Sequence, residues 1–474
     1  MGFLLHHRKW LLFLLVLPVV LQGCHKNFLD AKPATTLAVP STLSDFQSLL
    51  DNNVVFNQVP TLGEASTDDY FFTFSYWQIL GTRQQNAFVW APDIFEGQGG
   101  QEDWNVPYQQ VFYANVVLDG LGSKPEMDSV SEWNMVEGEA LFARAFAFYN
   151  LSQVFAPVYG SIADSTHLGI PLRLHSEIYT VSTRSTMGQT YQQIINDLDL
   201  AEAFLPVTPP MSNTYRNRPT QLAAQALLAR VYLSMRNYPL ARAYADSALR
   251  FYDSLIDYNT LDTMASLAFG MLNPETIYQA SFLGSVPYNG VTYDCSIAGG
   301  FFTSTRIDSS LISSYDSNDL RRVLYYHYEP NNASYLKGSY TGSNICFGGL
   351  ATDELLLIRA EGAARAGDAT SAMNDINALL AKRWRMGTFP GYTVASAQEA
   401  LDTVLLERRK ELGFRGLRWT DLRRLNAEGY NIILNRSQSQ LPLDILTPNT
   451  DLYTLPIPPD VINLTGMAQN PGRG

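Results

Sequence analysis

One stretch, LLARVYLSMRNYPLARAYADSAL at residues 227–249, constrains the fold more than any other. Leu228, Ala229, Tyr232, Tyr238, Ala241, Ala248 and Leu249 recur with the period of two successive helices. A second copy follows in ELLLIRAEGAARAGDATSAMNDINALL, with Gly367 and Asp368 at the expected inter-helix turn and Ala360, Ala372 and Leu379 at packing positions. Two-helix units of this kind cannot bury their apolar face alone, so they stack. The alternative is a set of unrelated amphipathic helices.

The spacing is that of a tetratricopeptide unit, and helical period recurs elsewhere. A first helix is expected at Leu43 to Leu50, then a strong one from Val136 to Val154, where Ala140, Ala143, Ala145 and Ala147 alternate with bulky aromatics. Further helices are expected from Gln189 to Phe204 and from Thr220 to Phe251, with a Pro-rich turn at Pro206 to Pro219 between them. Trp104 and Trp133 open helical segments and are expected to pack the scaffold. Helical period is lost from Asp51 to about Gly100 and from Asp257 to Gly349. Loops this long in a globular chain are functional or disordered, and the tyrosines and phenylalanines of the second argue against disorder. The expected fold class is mainly α, a tetratricopeptide-like helical-repeat scaffold with long irregular loops and little β.

The N-terminus reads as an export signal. Arg8 and Lys9 precede an apolar run from Trp10 to Leu21, which ends in Leu21, Gln22, Gly23 and Cys24. That run is shorter than the roughly 20 residues a membrane-spanning helix needs. A small residue directly before cysteine is similar to a lipoprotein cleavage site, which would leave Cys24 acylated, for instance with palmitate, as a membrane anchor. An ordinary cleaved signal with a soluble product is the other reading. The expected division is residues 1–23 as signal, 24–265 as an N-terminal region with repeat-type helices, and 266–474 as a C-terminal region with a loop-rich insertion.

With 33 basic and 45 acidic residues, the chain has a net charge of −12. It loses two further positive charges if the signal is removed. Such a chain repels phosphate backbones, so nucleic acid is excluded as a ligand; strongly anionic polysaccharides are disfavoured unless a local basic pocket overrules the global charge. Cys295 and Cys346 are expected as free thiols or, in an oxidising compartment, a disulfide.

Tests for chemistry come back empty. His25, His167, His175 and His327 stand in no metal-type spacing, and GQGGQE at Gly97 to Glu102 lacks the third glycine of a dinucleotide loop. Asp68 and Asp69, with Glu64, form the best carboxylate cluster; paired carboxylates serve glycosidases, but capping, calcium ligation or sugar hydrogen bonding is the commoner use. The run ERRKELGFRGLRWTDLRR, from Glu407 to Arg424, is expected to pair within itself, Glu407 with Lys410 and Glu411 with Arg415, as a partly buried ion network. No catalytic residue, metal ligand or cofactor is expected; a structural calcium is allowed but not indicated.

Taken together, Cys24 with the following FLDAKP, the stretch GEALFARAFAFYNL, GIPL at Gly169 to Leu172, LLARVYL, LLIRAEGAARAGDATSAMNDIN, the run from Glu407 to Arg424, LPIPPD and QNPG resemble the SusD/RagB family of Bacteroidetes surface lipoproteins. Arg415 departs from the glutamate usual before Gly416. The resemblance implies a lipoprotein of the outer membrane facing the exterior, lying as a lid on a SusC-like TonB-dependent transporter and delivering an oligosaccharide, or in some relatives a peptide. It also implies loops that display aromatic platforms for sugar rings opposite the helices. In those loops stand Tyr70, Tyr76, Trp77, Trp90, Tyr288, Tyr293 and Tyr326. A surface glycoside hydrolase and a helical scaffold for envelope assembly are the rival readings.

Overall fold

The structure, a computed structural model, describes residues 40–122, 130–160, 166–207, 216–283, 305–328, 334–343, 345–436, 441 and 445–473. Its longer helices, in chain order, are α1 (Leu43–Leu50), α2 (Glu102–Gly122), α3 (Val130–Phe155), α4 (Met187–Phe204) and α5 (Gln221–Ser234). They continue with α6 (Tyr238–Phe251), α7 (Thr352–Arg365), α8 (Ala369–Ala381), α9 (Ala397–Glu411) and α10 (Arg418–Ala427). From α2 to α8 each helix packs against the next, and α9 closes the row against α7 and α8.

Both expected repeat units form, and the same local chemistry turns each one. Asn237 starts α6 by accepting from the Leu240 N–H at 3.3 Å, and Asp368 starts α8 by accepting from the Ser371 N–H at 3.0 Å. The residue before each cap is left-handed, Arg236 at φ 60° and Gly367 at φ 84°. Between the units the backbones approach closely. A Cβ on Gly362 of α7 would lie 2.6 Å from the Cβ of Arg242 on α6, so only glycine fits there. Arg242 then reaches over to Asp368 at 3.0 Å, tying the first unit to the cap of the second.

The charge run from Glu407 to Arg424 forms a buried network, but not with all the expected partners. Lys410 bonds Glu407 at 2.7 Å, as the helical spacing predicts. Glu411 does not pair with Arg415. Helix α9 ends at Glu411, and Phe414 turns the chain through a left-handed conformation at φ 59°, so Arg415 leaves the helical face. Glu411 instead receives Arg321 at 3.0 Å and Arg383 at 2.7 Å, and Arg415 reaches Asp353 at 2.8 Å. Farther on, Arg424 grips Glu361 of α7 with both nitrogens, at 2.6 and 2.8 Å. Paired and hydrogen-bonded charges of this kind fix which helices meet, since leaving either partner alone in the interior is strongly destabilising.

Strands are short: β1 (Tyr70–Phe72) pairs with the distant β2 (Thr305–Ile307), and β3 (Tyr326–Tyr328) pairs with β4 (Ser334–Leu336), which follows it in the chain, both antiparallel. Cys346 is fully buried and disulfide-bonded, which overturns the free-thiol expectation for it; Cys295 lies outside the described residues. Cys24 and the export signal also lie outside them. Among the described residues no helix is long and apolar enough to cross a membrane.

Candidate functional site

Loss of helical period after Asp51 does not leave the chain unstructured, because the first loop region folds onto a buried cation. The Arg436 guanidinium donates to the carbonyls of Phe88 at 2.8 Å, Thr67 at 2.7 Å and Tyr70 at 3.1 Å. Its Cζ lies 4.1 Å from the ring centroid of Phe88, 4.4 Å from that of Trp90 and 5.3 Å from that of Tyr70. Carbonyl dipoles and ring faces together help solvate this buried charge.

This arrangement corrects part of the sequence expectation. Trp90 is 1% exposed and donates from Nε1 to the Ser66 carbonyl at 2.9 Å, while Tyr70 is 2% exposed and donates to Ala65 at 2.5 Å. Tyr326 is equally buried, its hydroxyl 3.2 Å from that of Tyr315. None of the three rings is open to a ligand arriving from solvent. They are the support on which the outer residues rest.

What faces outward is a ledge built on that support. In β1 the burial alternates, with Tyr70 and Phe72 inward and Phe71 half-exposed. Phe71 stands opposite Arg306 of β2, and directly opposed residues project from the same face of a strand pair. The chain then enters a short helix, Phe74–Trp77, with no fully buried residue. Its Phe74 and Trp77 rings stack at 5.8 Å with planes 21° apart. Trp77 is held by a reciprocal pair: its Nε1 donates to the Gln85 carbonyl at 3.1 Å, and Gln85 Nε2 donates to the Trp77 carbonyl at 3.0 Å. Tyr76 leans on Phe72 at 5.4 Å.

Of the seven aromatics expected from the sequence, Tyr76 and Trp77 lie on this ledge, whereas Tyr288 and Tyr293 lie outside the described residues. Phe71 and Phe74 were missed because phenylalanine in a loop reads as core, and Arg306 because only the pairing of β1 with β2 sets it opposite Phe71. The period-two burial of Tyr70, Phe71 and Phe72 is the signal that separates the outward ring from its neighbours.

Beneath the ledge, the carboxylates singled out from the sequence are committed to cations. Asp68 takes Arg418 with both oxygens at 2.8 Å, and Asp69 accepts from Arg409 at 2.9 Å. Burial would raise the Asp68 pKa, but the adjacent guanidinium groups outweigh it and hold that carboxyl well below the usual range. Glu64 accepts from the Gly416 N–H at 2.9 Å, yet burial, aided by the Asp69 charge, pushes its carboxyl up to about 8. These groups anchor α9 and α10 to the loop. Another carboxylate trio, Glu275, Asp353 and Glu411, places oxygens within 4.8 Å of one another. Arg383 and Arg415 already bind it, Arg383 to Glu275 and Glu411 at 2.7 Å each and Arg415 to Asp353 at 2.8 Å, so guanidinium groups supply the balancing charge.

Residues 27–233 match the family described as starch-binding and associating with the outer membrane, and residues 350–472 match the family described as SusD. SusD-like protein P2 of Formosa agariphila is 25% identical over 432 residues, which cover 78% of this chain and 80% of that protein. Among solved structures, a SusD superfamily protein from Bacteroides vulgatus aligns over 91% of this chain and 99% of its own, with a TM-score of 0.73 at 20% identity. A laminarin-binding SusD-like protein aligns over 91% and 100%, with a TM-score of 0.64 at 18% identity. These likenesses carry the helical fold.

Proposed function

The chain belongs to the SusD/RagB family, and from that premise we propose that it captures oligosaccharides at the outer membrane and delivers them to a SusC-like TonB-dependent transporter. In this reading Cys24 carries the acyl chains that hold the protein on the outer face. With about 0.8 kcal/mol for each buried CH₂, two or more such chains suffice without help from the fold.

The observation that carries the reading is the outward ring ledge of Phe71, Phe74 and Trp77. Sugar rings present apolar C–H faces that lie flat on aromatic side chains, while loop amides and hydroxyls take the sugar hydroxyls. The relation to a laminarin-binding protein of the same fold supports a glycan as cargo. Capture followed by release calls for an open site and unaltered cargo, and the described loop carboxylates Asp68 and Asp69 are tied to Arg418 and Arg409.

Isothermal titration of the lipid-free chain against a panel of neutral and charged oligosaccharides and short peptides tests this. Glycan binding without turnover is expected, together with co-isolation of a TonB-dependent transporter from membranes. Binding of peptides alone, or release of shortened sugars, would overturn it.

A further inference from the structure

Arg306 and Arg322 differ from the buried arginines of the molecule, whose guanidinium groups are taken up by carboxylates or, as at Arg423 and Arg436, by backbone carbonyls. Arg321, next in sequence to Arg322, is fully buried and held by Asp319 at 2.6 Å, Glu407 at 2.6 Å and Glu411 at 3.0 Å. Arg383, Arg415, Arg418 and Arg424 are likewise gripped by carboxylates. Arg306 is half-buried, and its Nε is shielded from water with no hydrogen-bond partner. Arg322 is half-buried too and lays its guanidinium over the Tyr328 ring, 5.3 Å from the centroid. Neither forms an ion pair among the described residues. The acidic residue nearest Arg306 in sequence, Asp308, caps a short helix at Ser310, 2.8 Å away, and the one nearest Arg322, Asp319, holds Arg321.

In a chain with 45 acidic residues against 33 basic, carboxylates are not scarce, so cations left partly desolvated and unpaired imply an anionic partner from outside. Arg306 lies on β2, and Arg322 lies on a short helix, Arg321–Leu324, that leads into β3. Arg306 projects beside Phe71, and β2 packs against β4, which pairs with β3 and its half-exposed Tyr328. Guanidinium suits this task because its planar fork matches carboxylate and sulfate oxygens two at a time.

We propose that the captured glycan is anionic, a uronate- or sulfate-bearing oligosaccharide whose charged group binds Arg306, with Arg322 as the second cation, while an adjacent sugar ring lies on Phe71, Phe74 and Trp77. This inference rests on the capture function proposed above. The overall negative charge does not oppose it, because at physiological salt charges more than about 8 Å away are largely screened and the local pair decides.

The test is titration calorimetry with matched oligosaccharides of one linkage in neutral, hexuronate and sulfated form, on wild type, Arg306→Gln, Arg322→Gln and Trp77→Ala. An acidic form should bind about tenfold or more tightly than its neutral counterpart, with added salt weakening only the acidic form. Arg306→Gln should bring the acidic affinity down towards the neutral level, so that the ratio of acidic to neutral affinity falls about tenfold or more. Arg322→Gln should act in the same direction, and serves should the first variant lose its fold. Equal affinities for neutral and acidic forms, or acidic binding that survives both substitutions, would overturn the charge preference and leave glycan capture standing. Failure to bind any glycan would remove both. The hexuronate and sulfated arms separate the two sources of charge.

Discussion

The Cζ of Arg436 lies 4.4 Å from the centre of the Trp90 ring, and that contact pins the first loop region to the C-terminal part of the chain. Its consequence is that Trp90 belongs to the fold and not to the ligand. Trp90→Ala should therefore cost about 3–5 kcal/mol in urea unfolding, from the cavity, the lost ring face over Arg436 and the Ser66 carbonyl left without its donor. A Trp90→Ala protein that unfolds like wild type and loses only glycan affinity would contradict this placement.

Trp77→Ala should do the reverse. Trp77 is half-buried and stacks on Phe74 at the surface, so its removal should weaken glycan binding by about tenfold or more, the loss of one ring platform, while Tm falls by only a few degrees. Titration and thermal unfolding of the same preparation distinguish the two effects; unchanged affinity would remove the ledge from the binding site.

The contrast between these tryptophans marks where sequence stops being informative. The repeat turns were legible because their determinants are local: Asn237 and Asp368 cap the helices that follow them, and Gly367 supplies the left-handed residue one position earlier. Trp90 and Tyr326 stand in the loops where the family resemblance implies ligand-facing aromatics, yet Trp90 is packed against Arg436, which also holds the Phe88 carbonyl from 348 residues away. The pairing of Glu411 with Arg415 failed for a local reason. No spacing rule reports that α9 stops at Glu411 and that Phe414 reverses the backbone. The grip of Arg424 on Glu361, across 63 residues, is likewise invisible to helical periodicity.

Gly367→Ala tests the turn between α7 and α8. At φ 84° a Cβ strains the backbone, although nothing lies within 4 Å of it, so the penalty is conformational and not steric crowding. A loss of about 1–2 kcal/mol is expected in chemical denaturation, with glycan affinity unchanged. Arg236 occupies the same position in the first unit at φ 60°, so Arg236→Gly should relieve part of the equivalent strain while losing its 2.8 Å bond to the Gly160 carbonyl. The net change there should be smaller than the loss in Gly367→Ala. Equal stability of Gly367→Ala and wild type would show that the turn relaxes to another conformation.

Glu64 makes stability depend on pH in a direction opposite to that of a salt-bridged carboxylate. Burial, with the Asp69 charge as the next cause, raises its native carboxyl to about 8, against 4.5 for a free side chain. Between these values the native protein keeps a proton that the unfolded chain has released, so native Glu64 binds more protons and stability falls as pH rises. The full slope is about 1.4 kcal/mol per pH unit, and it vanishes once pH exceeds the native pKa. Glu64→Gln keeps the volume and an acceptor for the Gly416 N–H but cannot titrate. The stability of wild type relative to Glu64→Gln should therefore decline steadily from about pH 5 to about pH 8 and then level off. Other buried carboxyls with raised pKa, such as Glu139 and Glu275, titrate in both proteins and so drop out of the difference. Urea unfolding of both proteins at several pH values reads this difference directly, and a difference that stays flat across the window would mean that Glu64 is ionised in the folded protein at neutral pH.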